Sequence, residues 1–240
     1  PIGDPALLAA GVSKRLDAFP ALPYVPIELD NIVKENNQDF LGIYPGKQLL
    51  DADFTAQTLQ QSLSSKTRFL HLATHGEFVP NDRYGSYLLM GNGDQLPLAD
   101  IANLAPVLQG IHLAVLSACQ TALGGNDEDG LEIAGLGYYF FKGQVDAVMA
   151  SLWNVNDAST SQLMQAFYQT LSAGTATNPV TKAEALRIAQ LTLLQSNQPG
   201  NSDADRFRLI PKDPGDGARS DSALAHPYHW APFILIGNGL

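Results

Sequence analysis

Short runs that are apolar without alternation recur along this chain: Phe69–Ala73, Ile111–Leu116, Ala147–Trp153 and Phe233–Ile236. A strand with one wet face alternates apolar and polar residues, whereas a strand covered on both faces need not. These runs are therefore expected to be buried strands of a mainly parallel sheet. Ala6–Val12 and Phe40–Tyr44 are expected to add two more, and Tyr87–Met90 a small hairpin arm. Helical patterns fall between them, over Val25–Glu35, from Thr55 to about Leu63, and over Leu98–Leu104, Glu132–Phe141, Asn156–Leu171 and Thr181–Gln195. The last two carry the clearest stripes, Leu163, Met164, Phe167 and Leu171 on one, Ala185, Ile188, Ala189 and Leu193 on the other. Strands alternating with helices predict an α/β layered fold.

Composition narrows the function classes. The 240 residues, 45% of them hydrophobic, suit one large domain over 1–240, with the Pro-, Gly-, Asp- and Ser-rich stretch 198–223 as a loop insertion. A single cysteine, Cys119, excludes an intramolecular disulfide. No run approaches the ~20 apolar residues needed to span a bilayer, and no basic leader opens the sequence. A formal net charge of −10 without clustered Lys or Arg argues against nucleic acid and against a membrane surface. The expected setting is cytoplasmic. The chain starts at Pro1 rather than Met, as expected of a piece of a longer protein.

Two of the apolar runs end in chemistry. Phe69–Ala73 leads into Thr74-His75-Gly76, and Ile111–Leu116 into Ser117-Ala118-Cys119. Sites in such sheets form outside the carboxyl ends of neighbouring strands, where both residues would lie. An imidazole there can take the proton of a thiol and stabilise the thiolate. The Gly76 and Cys119 amides are natural donors to an oxyanion. The plain alternative for a lone cysteine is an inert buried thiol. His71 and His75 are too far apart on a strand, roughly 13 Å, for a shared metal, so no metal or cofactor is expected. His71 reads as a satisfied core residue. Ser117 lacks the flanking glycines of a nucleophile elbow.

The segments FLHLATHGE (69–77), AVLSACQTALG (114–124), DGLEIAGL (129–136), VMASLWNVND (148–157) and HPYHWAPFILIG (226–237) together resemble the CHAT domain, a caspase-like cysteine peptidase family related to separase. The family is usually fused to tetratricopeptide repeats in bacteria. The resemblance covers most of the chain in the expected order. It implies a caspase-hemoglobinase-like three-layer sandwich, His75 as catalytic histidine and Cys119 as nucleophile. It also implies peptide binding as an added strand beside Ser151, Leu152 and Trp153. The chain departs from the family in carrying no repeats, in a short segment before its first strand, and in having Thr121 where caspases often place glycine.

Specificity is divided. Asp157 resembles an acidic residue of the separase motif that would read a basic P1 side chain, but it is also suited to capping the following helix. Lys14 and Arg15 follow the first strand, where caspases place an arginine that reads aspartate. Asp127, Glu128 and Asp129 read as a solvated loop, and Tyr228 and Trp230 as packing residues. The expected function is a cysteine endopeptidase acting on protein substrates and regulated by a partner or a repeat-containing region. The alternative is a regulatory interaction module with an idle pair.

Overall fold

The computed structural model describes residues 7–79, 82–117, 131–175, 177–196 and 224–240. Its centre is a seven-stranded sheet. The strands are β1 (Leu7–Gly11), β2 (Val33–Lys34), β3 (Tyr44–Leu50), β4 (Phe69–Ala73), β8 (Leu113–Leu116), β9 (Ala147–Ser151) and β10 (Phe233–Gly237). They lie in the order β10-β9-β8-β4-β1-β3-β2. All neighbours pair in parallel except β10, which runs antiparallel to β9. A second, antiparallel sheet of β5 (Gly76–Val79), β6 (Asp82–Leu89) and β7 (Gln95–Pro97) starts immediately after His75.

Both faces of the large sheet are dry. On one face Leu8, Ala10, Leu70, Leu72, Ala114, Leu116, Val148 and Ala150 pack against α2 (Ala56–Ser62), α3 (Leu98–Ile101), α4 (Ala105–Leu108) and α5 (Leu131–Lys142). On the other, Leu7, Ala9, Ala73, Leu113, Val115, Ala147 and Met149 pack against α1 (Val25–Ile32), α6 (Asp157–Ser172) and α7 (Lys182–Leu194). Alternate residues of one strand thus enter two separate cores, which is why the runs are apolar throughout. At about 25 cal/mol per Å² of apolar surface, this double burial is the main favourable term in the fold. The helices start where their caps dictate. Thr55 and Thr58 form a reciprocal capping box on α2, and Thr181 accepts from the Glu184 amide on α7.

Three sequence expectations are corrected. The helix from Val25 ends at Ile32 rather than Glu35, because Val33 turns extended and pairs with Tyr44. Phe40–Tyr44 is not a strand: Phe40 and Leu41 are 92% and 61% exposed. The Asp39 carboxylate accepts the Leu41 and Gly42 amides and bends the chain there. The strand starts instead at Tyr44 and runs through Pro45-Gly46, a pair that reads as a turn. Finally, the hairpin arm expected over Tyr87–Met90 begins earlier, at Asp82, and ends at Leu89 as β6. The 198–223 insertion lies outside the described residues.

Gly46 pairs with Leu7 in the β1–β3 register, and a Cβ there would sit 2.3 Å from the Leu7 carbonyl oxygen. That contact is backbone on both sides and cannot yield by a rotamer change. Gly46→Ala is expected to destabilise the protein by about 1–3 kcal/mol, measured by denaturant unfolding at equilibrium.

Candidate active site

The order of the sheet decides where a site can form. From β1 the chain runs to the edge strand β2 and comes back to β3 on one side, then crosses to β4, β8 and β9 on the other. The crevice of such a sheet opens at this reversal, outside the carboxyl ends of β1 and β4. His75 lies there, following β4, and the loop after β1 lies across from it.

That loop holds the imidazole. His75 is 3% exposed, its Nε2 is 2.9 Å from the Pro20 carbonyl oxygen, and the Phe19 ring lies 5.3 Å from it, centroid to centroid. A carbonyl can only accept, so Nε2 carries the proton and Nδ1 of the neutral ring is left with the lone pair. The backbone is pinned from the other side. Thr74 Oγ1 donates to the Leu89 carbonyl at 2.6 Å, and the Leu89 amide donates to the His75 carbonyl at 2.8 Å. Since residue 75 turns its carbonyl towards β6, the strand alternation turns the Gly76 N–H away from β6. Nothing in the sequence marks the Pro20 carbonyl as the group that orients His75.

β8 is the hydrogen-bonded neighbour of β4, with His71 opposite Val115 and Leu72 opposite Leu116. The Ser117 amide continues the ladder to the Leu72 carbonyl at 3.0 Å. His75 and the segment beginning at Ser117 therefore leave the sheet at the same end of adjacent strands. Cys119 itself, with Asp127, Glu128 and Asp129, lies outside the described residues.

The next strand, β9, ends at Ser151 rather than Trp153. Leu152 donates its amide to the Pro232 carbonyl at 2.9 Å, so it faces β10. By the same alternation the backbone groups of Ser151 face the β8 side, and the chain then bends at Leu152 and Trp153. The indole of Trp153 donates to the Tyr228 carbonyl at 3.1 Å, and the Tyr228 hydroxyl donates to the Asn154 carbonyl at 2.7 Å. Tyr228, half exposed, thus clasps the chain between β9 and α6. Trp230 donates its indole N–H to the Ala225 carbonyl.

Asp157 does not cap α6. The cap is Asn156, which accepts the Ser159 amide, and Asp157 is the first helical residue. Its Oδ2 accepts the Tyr24 amide at 2.7 Å, tying α6 to the loop that holds His75. Burial pushes the Asp157 carboxyl up to about 6, and the nearby Glu28 carboxylate pushes the same way against the Tyr24 hydrogen bond. Lys14 lies 3.5 Å from Asp51, whose carboxylate also accepts from the Ser13 amide and hydroxyl, so Lys14 is part of a surface tie between the β1 and β3 ends.

A model of the CHAT domain matches residues 1–238. The chain belongs to the CHAT domain family. This is a caspase-like family, and the CHAT domain here has the expected architecture, a mostly parallel sheet between two helical layers. No curated protein matches the sequence. No helix among the described residues of this CHAT domain is long and apolar enough to cross a membrane.

The raised Asp157 carboxyl has a signature in stability. A group held above its unfolded value favours the folded state at acid pH and loses that contribution as pH rises through about 6. An asparagine at this position could not ionise, so Asp157→Asn is expected to gain about 1–2 kcal/mol on the wild type between pH 4 and pH 7, discounted for partial exposure. Paired thermal melts across that range measure it, and a constant gap would refute the assignment.

Proposed function

We propose that this CHAT domain is a cysteine endopeptidase in which His75 serves Cys119. The observation that carries the reading is the His75–Pro20 contact, which leaves Nδ1 as a base at the end of the strand next to the one that leads to Cys119. A buried imidazole with a fixed tautomer on a rigid strand end suits a general base better than a packing residue.

In the proposed reaction, His75 Nδ1 takes the Cys119 thiol proton and the thiolate adds to the scissile carbonyl. The Gly76 and Cys119 amides donate to the oxyanion. Collapse breaks the C–N bond, and the imidazolium gives its proton to the departing amine. Water, deprotonated by His75, then splits the thioester and restores the thiol. The peptide would lie as an added strand beside Ser151, Leu152 and Trp153, with Leu152 tied to β10 through the Pro232 carbonyl. Asp157 would face a basic P1 side chain. Regulation by a partner or by fused tetratricopeptide repeats completes the proposal, with a cytoplasmic setting.

A second reading, an interaction module whose pair is idle until a partner binds, draws on one observation. Asp157 already spends an oxygen on the Tyr24 amide, so the protein itself occupies the proposed P1 contact.

The test is labelling by a peptidyl acyloxymethyl ketone with arginine at P1, read by intact mass. Cys119→Ala is expected to abolish labelling, and His75→Ala to slow it by about 10²-fold or more. A wild type that stays unlabelled while folded would favour the module.

A further inference from the structure

Glu28, on α1, is 1% exposed, and one of its oxygens serves two strands. Oε1 accepts from His71 Nε2 at 2.7 Å and from the Ser117 hydroxyl at 2.5 Å. On the far side of the ring, His71 Nδ1 lies 3.2 Å from the Tyr168 hydroxyl of α6. His71 stands on β4, one short segment before His75. Ser117 follows β8, two residues before Cys119.

This cluster is a poor device for stability. Burying a carboxylate costs several kcal/mol even when it is paired, and a well-packed apolar trio of similar volume would be as stable or more so. The second oxygen, Oε2, has no hydrogen-bond partner among the described residues, which adds to the cost. Nor is the cluster needed to join β4 to β8, since the backbone ladder already runs to Ser117. What it adds is a tie from the helical layer to both strand ends. α1 is the right element for this. The loop entering it carries the Pro20 carbonyl that orients His75, and Asp157 holds the Tyr24 amide at its start.

We propose that Glu28 is a positioning residue: its Oε1, shared by His71 and Ser117, fixes the strand ends that bear His75 and Cys119 relative to α1 and the His75 loop. This rests on the endopeptidase reading for its purpose, though not for its test. Glu28 touches no reacting atom. It holds the His75 end of β4 in register with Ser117, two residues before Cys119 in the sequence, and a misplacement of about 1 Å between reacting groups is worth about 10²-fold in rate.

Ser117→Ala removes one hydroxyl, and Glu28→Leu removes the acceptor that both partners share. Leu193→Ala, in the buried face of α7, is the control for lost stability alone. Each full-length variant is assayed with the arginine acyloxymethyl ketone for kinact and KI. Because Cys119 is the single cysteine, iodoacetamide alkylation over pH 5–10 separately reports the thiol. The expected result is a fall in kinact of tenfold or more with KI within twofold for Ser117→Ala and Glu28→Leu. The alkylation midpoint should rise towards the value of a free thiol, about 8.5. Leu193→Ala should lower the melting temperature and leave both readouts unchanged. Wild-type kinact and an unmoved midpoint in folded Ser117→Ala would overturn the proposal, even if Glu28→Leu fails to fold. If the wild type ignores the peptide reagent, the endopeptidase reading falls, and the alkylation midpoint alone decides whether Glu28 positions the strand ends.

Discussion

The constraint on which this CHAT domain depends is the burial of its sheet on both faces. Strands β1, β4, β8 and β9 send alternate side chains into two cores, and neither core tolerates an unpaired polar atom cheaply. Chemistry is consequently displaced to the strand ends, where the backbone leaves the ladder and meets loops. The exceptions inside the sheet are informative. His71 and Ser117 occupy core positions on adjacent strands of the α1 and α6 face, and both are satisfied by the same carboxylate. They enter the core with a shared acceptor, whose second oxygen has no hydrogen-bond partner among the described residues.

The same constraint explains why loops far apart in sequence converge on His75. A strand-end residue inherits its position from the sheet, but its side chain must be oriented by something outside the ladder. The loop after β1 supplies the Pro20 carbonyl and the Phe19 ring, and the small antiparallel sheet fixes the backbone through Leu89. Asp157 then fastens that loop to α6 through the Tyr24 amide. Each contact is modest alone, about 1 kcal/mol for a hydrogen bond and somewhat more with a charge. Pro20 and Phe19 act on the ring itself, while Leu89 fixes its backbone and Asp157 fixes the loop that carries Pro20.

Parts of this were legible in the residues. Phe69–Ala73, Ile111–Leu116 and Ala147–Trp153 declared themselves as strands through unbroken apolarity, and the stripes of Leu163–Phe167 and Ala185–Leu193 declared two helices. The strand over Tyr44–Leu50 was hidden, because Pro45-Gly46 carries a turn signal that only pairing with β1 overrides. Phe40 and Leu41 misled for the opposite reason: apolar residues imply burial only when the backbone can carry them inwards, and Asp39 bends it away. Asp157 looked like a helix cap by spacing. Its actual partner, the Tyr24 amide, lies 133 residues earlier in the chain, beyond the reach of any local pattern.

By itself, then, the sequence determined the α/β class, the parallel core, the resemblance to the CHAT domain and the placement of His75 at a strand end. Those follow from period, apolarity and local residue order, which act over a few residues. Tertiary structure alone decided which groups meet: Pro20 with His75, Asp157 with Tyr24, and Glu28 with both His71 and Ser117. A carbonyl has no signature in sequence, and a glutamate on an amphipathic helix looks like any solvated charge. Only the docking of α1 on the sheet turns Glu28 inwards, where a single oxygen reaches two strands at once.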